Sequence, residues 1–423
     1  MADTRKVAEI VFREDLYPRI ETDPALVQRY AEQLEMLPPI EVNQHNELVD
    51  GWHRWTAHKK KGAEEIAVTV TTTPSEAEFL ALACERNAKH GWQLTEASKK
   101  ASAIRMFSGG EGLDKKRIAG VLGVTERSVT TYLSNVEAQL EEERKRTIAD
   151  MWFACRTLEE IGEAVGIHKD TVSEKTAVCR NLEAFPKSDK LSALYQDADW
   201  QPPLYDIWNV AKNTSAVKHY GNTASEFVDN LVYTFTDPFE IVIDPFAGGG
   251  STGEVCKRRL RRYWISDRKV EPEMEGRIRQ HDLVTDGIAG PYQFSDVALV
   301  YLDPPYWKQA AGKYSEDATD LANMGLDAFT ATLVSIITAY GKKLRPGAHL
   351  GCIISPTQWP NEDKSVNYHD LDLARMVGGK LQLVRRVVCP YSSEQYNGTQ
   401  VEIAKEQKLW MVLSRTMLVW ERI

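Results

Sequence analysis

The stretch "FEIVIDPFAGGGSTGEVCKRRL", Phe239 to Leu260, decides the fold. An apolar run closes on Asp244, a turn follows through Pro245, Phe246, Ala247, Gly248 and Gly250, and helix-forming residues begin near Thr252. A short apolar run bounded by turn residues reads as a buried strand. Strand, glycine turn and helix in that order open a parallel α/β sheet, in which ligands bind at the carboxyl edge and glycines let the backbone approach them. A phosphate loop does not fit, because Gly250 is followed by Ser251-Thr252 without the lysine. The dinucleotide fingerprint fits poorly too, since here the acid precedes the glycines.

Further acids recur in the same position along the chain. "RRYWISD" carries a second strand to Asp267, and "IRQHDLV" offers Asp282. "ALVYLDPPYW" runs apolar through Leu302 and breaks into Asp303, Pro304, Pro305, Tyr306 and Trp307. Alone, Asp267 or Asp282 would read as a turn or helix cap, and the prolines as strand terminators. Acids at successive strand ends outweigh that reading. A carboxylate set among aromatic surfaces also needs something to pair with.

In this order the motifs closely resemble those of S-adenosylmethionine-dependent DNA amino-methyltransferases. The resemblance implies a Rossmann-like domain with a mostly parallel sheet and S-adenosylmethionine as cofactor. Asp244 would orient its amino acid end, Pro245, Phe246, Ala247, Gly248 and Gly250 would line its slot, Asp267 would hold the ribose and Asp282 the adenine amino group. "KHYGNTASEF" matches the family segment before the first motif, with Asn222 and Thr223 near the cofactor's methionine end, although the common Lys-Pro version is absent. Asp303, Pro304, Pro305 and Tyr306 would receive the exocyclic amino group of a base swung out of the duplex. Flanking DNA contacts are expected after Tyr306, beginning with Trp307 and Lys308.

The front of the chain mixes short extended runs with a helix. In "ELVDGWHRWTAHKKKG" a strand ends at Asp50, turns at Gly51 and opens a helix bearing His53 and Arg54. A glycine before a cationic helix start is a way to hold phosphate. The element resembles the ParB/sulfiredoxin N-terminal domain, and "ERNAKHGWQLT" resembles its nucleotide and magnesium box through Asn87. That resemblance implies a nucleoside triphosphate with magnesium held by Gly51, His53, Arg54 and Asn87. A site retired to packing is the equal alternative, because His53 stands where many relatives have arginine and Trp52 where sulfiredoxins have cysteine. No metal site is expected elsewhere.

Between these segments the chain reads as helical. "KKRIAGVLGVTERSVTTYL" places Ile118, Ala119, Leu122, Gly123 and Val129 at helix-turn-helix spacing, leaving Thr125, Arg127, Ser128, Thr130 and Thr131 on an outer face suited to DNA. "TLEEIGEAVGIHKDTVSEK" is a second, weaker copy, with Lys175 where an apolar residue belongs.

With 423 residues, 43% hydrophobic and 27% charged, the chain has room for several domains. The reading is a multidomain α/β protein: a small α+β ParB-like domain over 1–90, a helical helix-turn-helix region over 91–187, a linker over 188–202 and the Rossmann-like methyltransferase over 203–423. Scattered cysteines suggest buried thiols. The charged start and short apolar runs suggest a cytoplasmic protein with no membrane partner. The net charge of −9 leaves basic clusters such as "KRRLRR" to grip nucleic acid locally. Double-stranded DNA is the expected partner, with a second copy of the chain as another. The expected reaction is methyl transfer to adenine N6, since the catalytic motif opens on aspartate where cytosine-specific relatives more often carry serine. Cytosine N4 is the alternative target, and a non-catalytic ParB-like regulator the rival function.

Overall fold

The computed structural model describes residues 3–18, 22–89, 95–108, 112–180, 203–210, 223–291, 294–309, 311–312, 315–391 and 396–423. They form two compact units, 1–144 and 145–423, whose boundary falls inside one long helix.

The first unit opens with strands β1 (Asp3–Lys6), β2 (Ile40–Val42), β3 (Leu48–Asp50) and β4 (Glu65–Val70). They make a sheet of order β1-β4-β2-β3 in which only the β2–β4 pair is parallel. Its core gathers Ile40, Val42, Leu48, Ile66 and Val68 under Trp55. Helix α1 (Pro24–Ala31) starts where the Asp23 side chain accepts from the Ala25 and Leu26 amides. Helix α2 (Trp52–Lys61) runs between two left-handed glycines, Gly51 and Gly62. Three helices follow: α3 (Glu76–Lys89), α4 (Glu96–Ser108) and α5 (Lys115–Leu122). After α5 the chain turns at Gly123, φ +63°, into α6 (Glu126–Phe153). Ile118, Ala119, Leu122, Val129 and Leu133 close on one another, the helix-turn-helix that the spacing predicts.

The second unit begins with the second copy, α7 (Leu158–Val165) and α8 (Lys169–Arg180), joined at Gly166. Thr157 and Glu160 form a capping box that fixes the start of α7. The buried positions of α8 are Val172 and Thr176, not Lys175. Thr176 satisfies its hydroxyl by donating to the Val172 carbonyl, 2.9 Å, so the misfit read from Lys175 is a one-residue shift in the buried face. Arginines tie the copy to the sheet. Arg279 donates to the Ala154 and Cys155 carbonyls, both at 3.0 Å, Arg156 donates to the Gly276 carbonyl at 2.6 Å, and the Arg262 guanidinium lies 4.5 Å from the Trp152 ring centre.

The sheet itself contains β5 (Ile241–Asp244), β6 (Arg262–Asp267), β7 (Arg279–Gln280), β8 (Val297–Leu302), β9 (His349–Ile354), β10 (Leu381–Pro390) and β11 (Ser414–Arg422). Its order is β10-β11-β9-β8-β5-β6-β7. The strands from β9 to β7 are parallel, whereas β11 runs antiparallel to both β9 and β10. This is a Rossmann-like sheet, and its order reverses between β5 and β8, where such sheets bind ligands. Burial on both faces follows the two-residue period: Ile241 and Ile243 pack on the side of α11 (Leu326–Lys343), while Val242 packs on the opposite side. That other layer includes α9 (Ser225–Phe235) and α10 (Ser251–Arg258). Buried Asp229 on α9 accepts from Arg258 and Arg259, both at 2.7 Å. Breaking a buried pair of this kind costs about 3–5 kcal/mol.

Helices α12 (His369–Met376) and α13 (Gly398–Gln407) complete the unit. Among the described residues no helix is long and apolar enough to cross a membrane. Cys84, Cys155, Cys256, Cys352 and Cys389 are buried free thiols.

Candidate active site

Parallel pairing of β5 with β6 and β8 brings Asp244, Asp267 and Asp303 to one edge of the sheet. Asp244 is buried. One of its oxygens accepts from the Phe246 amide at 2.9 Å and the other from the Thr252 hydroxyl at 2.5 Å. Burial pushes its carboxyl up to about 7, and the nearby Asp303 and Asp267 charges push the same way, against those hydrogen bonds. Asp267 accepts from the Gly248 amide at 2.8 Å and thereby pins the glycine turn. Gly250 closes that turn at φ +79°, and a Cβ there would lie 2.7 Å from Met274 Cε. Beside it the buried Ser266 hydroxyl has no hydrogen-bond partner among the described residues. Acids crowded in this way, one of them held near neutrality, suit a cationic ligand in close backbone contact.

Asp303 follows β8 directly and accepts from the Tyr306 hydroxyl at 3.2 Å. Burial raises its carboxyl, opposed by Thr223, the Arg415 charge, Tyr306 and Tyr301. Pro304 is buried, and Pro305 and Tyr306 are half-buried. Arg415, on the antiparallel strand β11, donates to the Thr223 hydroxyl at 3.4 Å. Its guanidinium lies 5.0 Å from the Phe227 ring centre and 4.6 Å from that of Tyr391. Sequence reading missed Arg415. The available signal was a lone arginine at the start of the apolar run "TMLVW".

Several expected residues are placed otherwise. Trp307 is buried, its indole N–H donating to the Met324 carbonyl at 2.9 Å, so it is part of the core and does not face DNA. The Lys308 ammonium donates to the Asn323 carbonyl at 2.9 Å. Asp282 caps a turn through the Val284 amide at 3.0 Å and pairs with Arg268 at 3.2 Å. Its oxygens are therefore already serving the turn-cap role. Asn222 lies outside the described residues.

In the first unit the expected phosphate cradle is internally committed. Arg54 donates to Asp50 at 2.7 Å and to the Pro39 carbonyl at 3.0 Å. His53 Nε2 accepts from the Asp23 amide at 2.9 Å, and buried Asn87 donates to the Ala83 carbonyl at 2.7 Å. Gly51 keeps its left-handed turn, φ +103°. Among the described residues no group of three or more His, Cys, Asp or Glu gathers as a metal site would.

On the first helix-turn-helix, Thr125, Arg127, Thr130 and Thr131 are exposed and Ser128 is half-buried. Thr125 caps α6 by accepting from the Ser128 amide at 3.1 Å, while the Thr130 and Thr131 hydroxyls donate back to the Glu126 and Arg127 carbonyls, both at 3.0 Å. The guanidinium of Arg127 is thus the longest exposed reach of this set.

A DNA methylase family model matches residues 98–274, a stretch that takes in Asp244, the glycine turn and Asp267 and ends before Asp303. The transcriptional regulator NovG of Streptomyces niveus is 34% identical over 109 residues, 26% of this chain and 34% of the relative. The type II methyltransferase M.Cfr9I of Citrobacter freundii is 33% identical over 57 residues, 14% of this chain and 19% of the relative. The chain thus spans about a third and a fifth of the lengths of these relatives. A crystal structure of the C-terminally truncated chromosome-partitioning protein ParB from Caulobacter crescentus, complexed to the centromeric parS site, aligns at 16% identity and a TM-score of 0.24, covering 42% of this chain and 99% of that one. The stretch that the DNA methylase family model matches thus contains the glycine turn, and over it the chain is similar to DNA methylases.

Proposed function

We infer that the chain is a site-specific DNA methyltransferase that moves a methyl group from S-adenosylmethionine to adenine N6. The observation that carries this reading is the convergence of Asp244, Asp267 and Asp303 at the switch point of the sheet, two of them accepting from amides of the glycine turn and one leading into Pro304, Pro305 and Tyr306.

Asp244, Asp267 and the turn from Phe246 to Gly250 would hold the cofactor, whose positive ammonium and sulfonium groups relieve the crowding of carboxylates. When bound, S-adenosylmethionine supplies an electrophilic methyl group. The residues of this chain do the rest. An exocyclic amino nitrogen is a poor nucleophile because its lone pair is delocalised into the ring. Asp303 and the Pro304 carbonyl each accept one amino hydrogen, which draws the nitrogen towards a tetrahedral shape and frees the lone pair; as the N–C bond forms, the S–C bond would break with its electrons left on sulfur, and the amino hydrogen held by Asp303 would leave as a proton through that carboxylate. Tyr306 offers a ring face to the extruded base, and the prolines fix the carbonyl, so alignment supplies much of the rate.

DNA grip is shared with the front of the chain. Arg127 and the hydroxyls around it would meet phosphates and base edges. The domains divide at 90, 187 and 202, and the chain works as a homodimer. Because Arg54, His53 and Asn87 are all engaged, the front domain serves packing and DNA placement, without a nucleoside triphosphate and magnesium.

Transfer of radiolabelled methyl groups to DNA, with long-read sequencing of DNA from a host expressing the chain, tests the reading. Adenine N6 methylation in a defined motif is expected, and Asp303→Ala should reduce transfer by about a thousandfold or more. Methylation at cytosine N4 would overturn the choice of base. No transfer by the wild type, or near wild-type transfer by Asp303→Ala, would overturn the mechanism.

A further inference from the structure

The arginine on β11 has no part in the mechanism above, yet it is buried among groups that surround Asp303. Arg415 is 8% exposed and held between the Phe227 and Tyr391 rings, 5.0 and 4.6 Å from their centres. Stacking of this kind keeps a guanidinium charged and planar where water is scarce. Its Nη1 donates to the Thr223 hydroxyl at 3.4 Å, and its Nε has no hydrogen-bond partner among the described residues. A buried cation left partly unsatisfied costs stability unless something else needs it.

The antiparallel register explains how it arrives there. Thr416 pairs with Ile354 at the end of β9, and β9 is the parallel neighbour of β8, which leads into Asp303. The start of β11 therefore lies two strands from the catalytic carboxylate, about 10 Å at ordinary strand spacing, within reach of a long side chain.

We propose that Arg415 is a positioning residue which, through Thr223 and the Tyr306 hydroxyl, holds Asp303 ionised and turned as a hydrogen-bond acceptor for the substrate amino group. This rests on the methyltransferase reading. A carboxylate accepts through either oxygen and carries a full charge, whereas a protonated Asp303 keeps one weaker carbonyl acceptor and adds an O–H that competes with the amino donors. The groups facing Asp303 set the balance. Asp244 from β5 repels its charge. Burial raises Tyr301 beneath it, Cys352 on β9 and Tyr391 after β10, which leaves them neutral. Against burial stand Thr223, Arg415 and the hydroxyls of Tyr306 and Tyr301. Burial also opposes the Arg415 charge, while the Asp303 carboxylate and the hydrogen bond with Tyr306 favour it.

The test is the pH profile of single-turnover methyl transfer for the wild type, Arg415→Met, Arg415→Gln and Arg415→Lys. Removing the charge should lower the rate by about a hundredfold and move the acid limb up by about one pH unit or more, with less than about a threefold change in S-adenosylmethionine affinity; lysine should restore most of both. In the folded wild type, carbon NMR of labelled aspartate should find Asp303 ionised at pH 7, a measurement that stands even if the charge-removing variants do not fold. The proposal is overturned if Arg415→Met or Arg415→Gln keeps the wild-type acid limb, if the loss lies wholly in cofactor affinity, or if Asp303 is protonated at pH 7 in the wild type. A wild type without methyl transfer fails the underlying reading instead, and is told apart by its missing activity.

Discussion

The chain contains two versions of one local design. In each, a strand ends on an aspartate, a left-handed glycine turns the backbone, and a helix begins: Asp50, Gly51 and α2 in the first unit, Asp244, Gly250 and α10 in the second. Their electrostatics are opposite. Asp50 is paired with Arg54 at 2.7 Å, and that guanidinium is further held by the Pro39 carbonyl. Asp244 has a hydroxyl and a backbone amide for company, with other acids nearby. One carboxylate faces a cation and the other faces only neutral donors and further acids. A shared backbone shape therefore says little about binding until the charge on each side chain is traced to its partner.

The comparison breaks if both elements respond alike to mutation. The largest expected effect is on Asp244→Ala, which should weaken S-adenosylmethionine binding by about 1.5–3 kcal/mol, roughly ten- to a hundredfold, in calorimetry. Asp50→Ala should leave that affinity unchanged and instead destabilise the first unit by about 1–3 kcal/mol, because the half-buried Arg54 loses its partner. Equal losses of cofactor affinity in both variants would erase the distinction.

Next in size is the glycine pair. Gly250→Ala places a Cβ 2.7 Å from Met274 Cε at a positive φ, and Gly51→Ala places one 2.7 Å from Ile40 Cγ2 and 2.9 Å from Arg54 Nε. Each should cost about 1–2 kcal/mol from backbone strain, with the clash in addition, read as a lower melting temperature. Only Gly250→Ala should also lose cofactor binding.

The pH dependence of binding is a smaller effect. With the Asp244 carboxyl raised to about 7 in the folded protein, its protonated form is the favoured one. Its contribution to stability is fully present below the ordinary carboxylate range and is lost as pH rises through about 7. A cationic ligand favours the ionised form, so affinity should fall by up to about tenfold from pH 7 to pH 6 and be flat from pH 8 upwards. Asp244→Asn should bind more weakly at pH 8 and show no such slope; a slope that persists assigns the proton elsewhere. The smallest expected effect is none: calorimetry with nucleoside triphosphates and magnesium should give no heat for the wild type, and measurable binding that vanishes in Arg54→Ala would revive the phosphate cradle.

Asp244 and Asp303 were readable at the edge of the sheet because each follows an uninterrupted apolar run, and Asp267 because only Ser266 separates it from one; run length and direction are local properties. The turns at Gly123 and Gly166 were readable for the same reason. Arg415 was not, because its neighbourhood is set by the register of β11 against β9, a pairing between segments some sixty residues apart. Trp307 misled for the converse reason. Read only as the residue after Tyr306 it belongs with the flanking DNA contacts, yet the indole is buried and gives its N–H to the Met324 carbonyl. Asp282 and Arg54 look available when read singly, and only the partner placed beside each by the fold closes it.

The buried thiols have a practical consequence. A thiol deep in a packed layer reacts with an alkylating probe only while its surroundings are open, so the labelling rate reports how often that opening occurs. Cys84 belongs to the first unit, whereas Cys256, Cys352 and Cys389 belong to the second, Cys256 on the very helix that follows the glycine turn. The chain thus carries a built-in clock for each unit, and a small molecule that closes the second should slow the second clock while the first keeps its time.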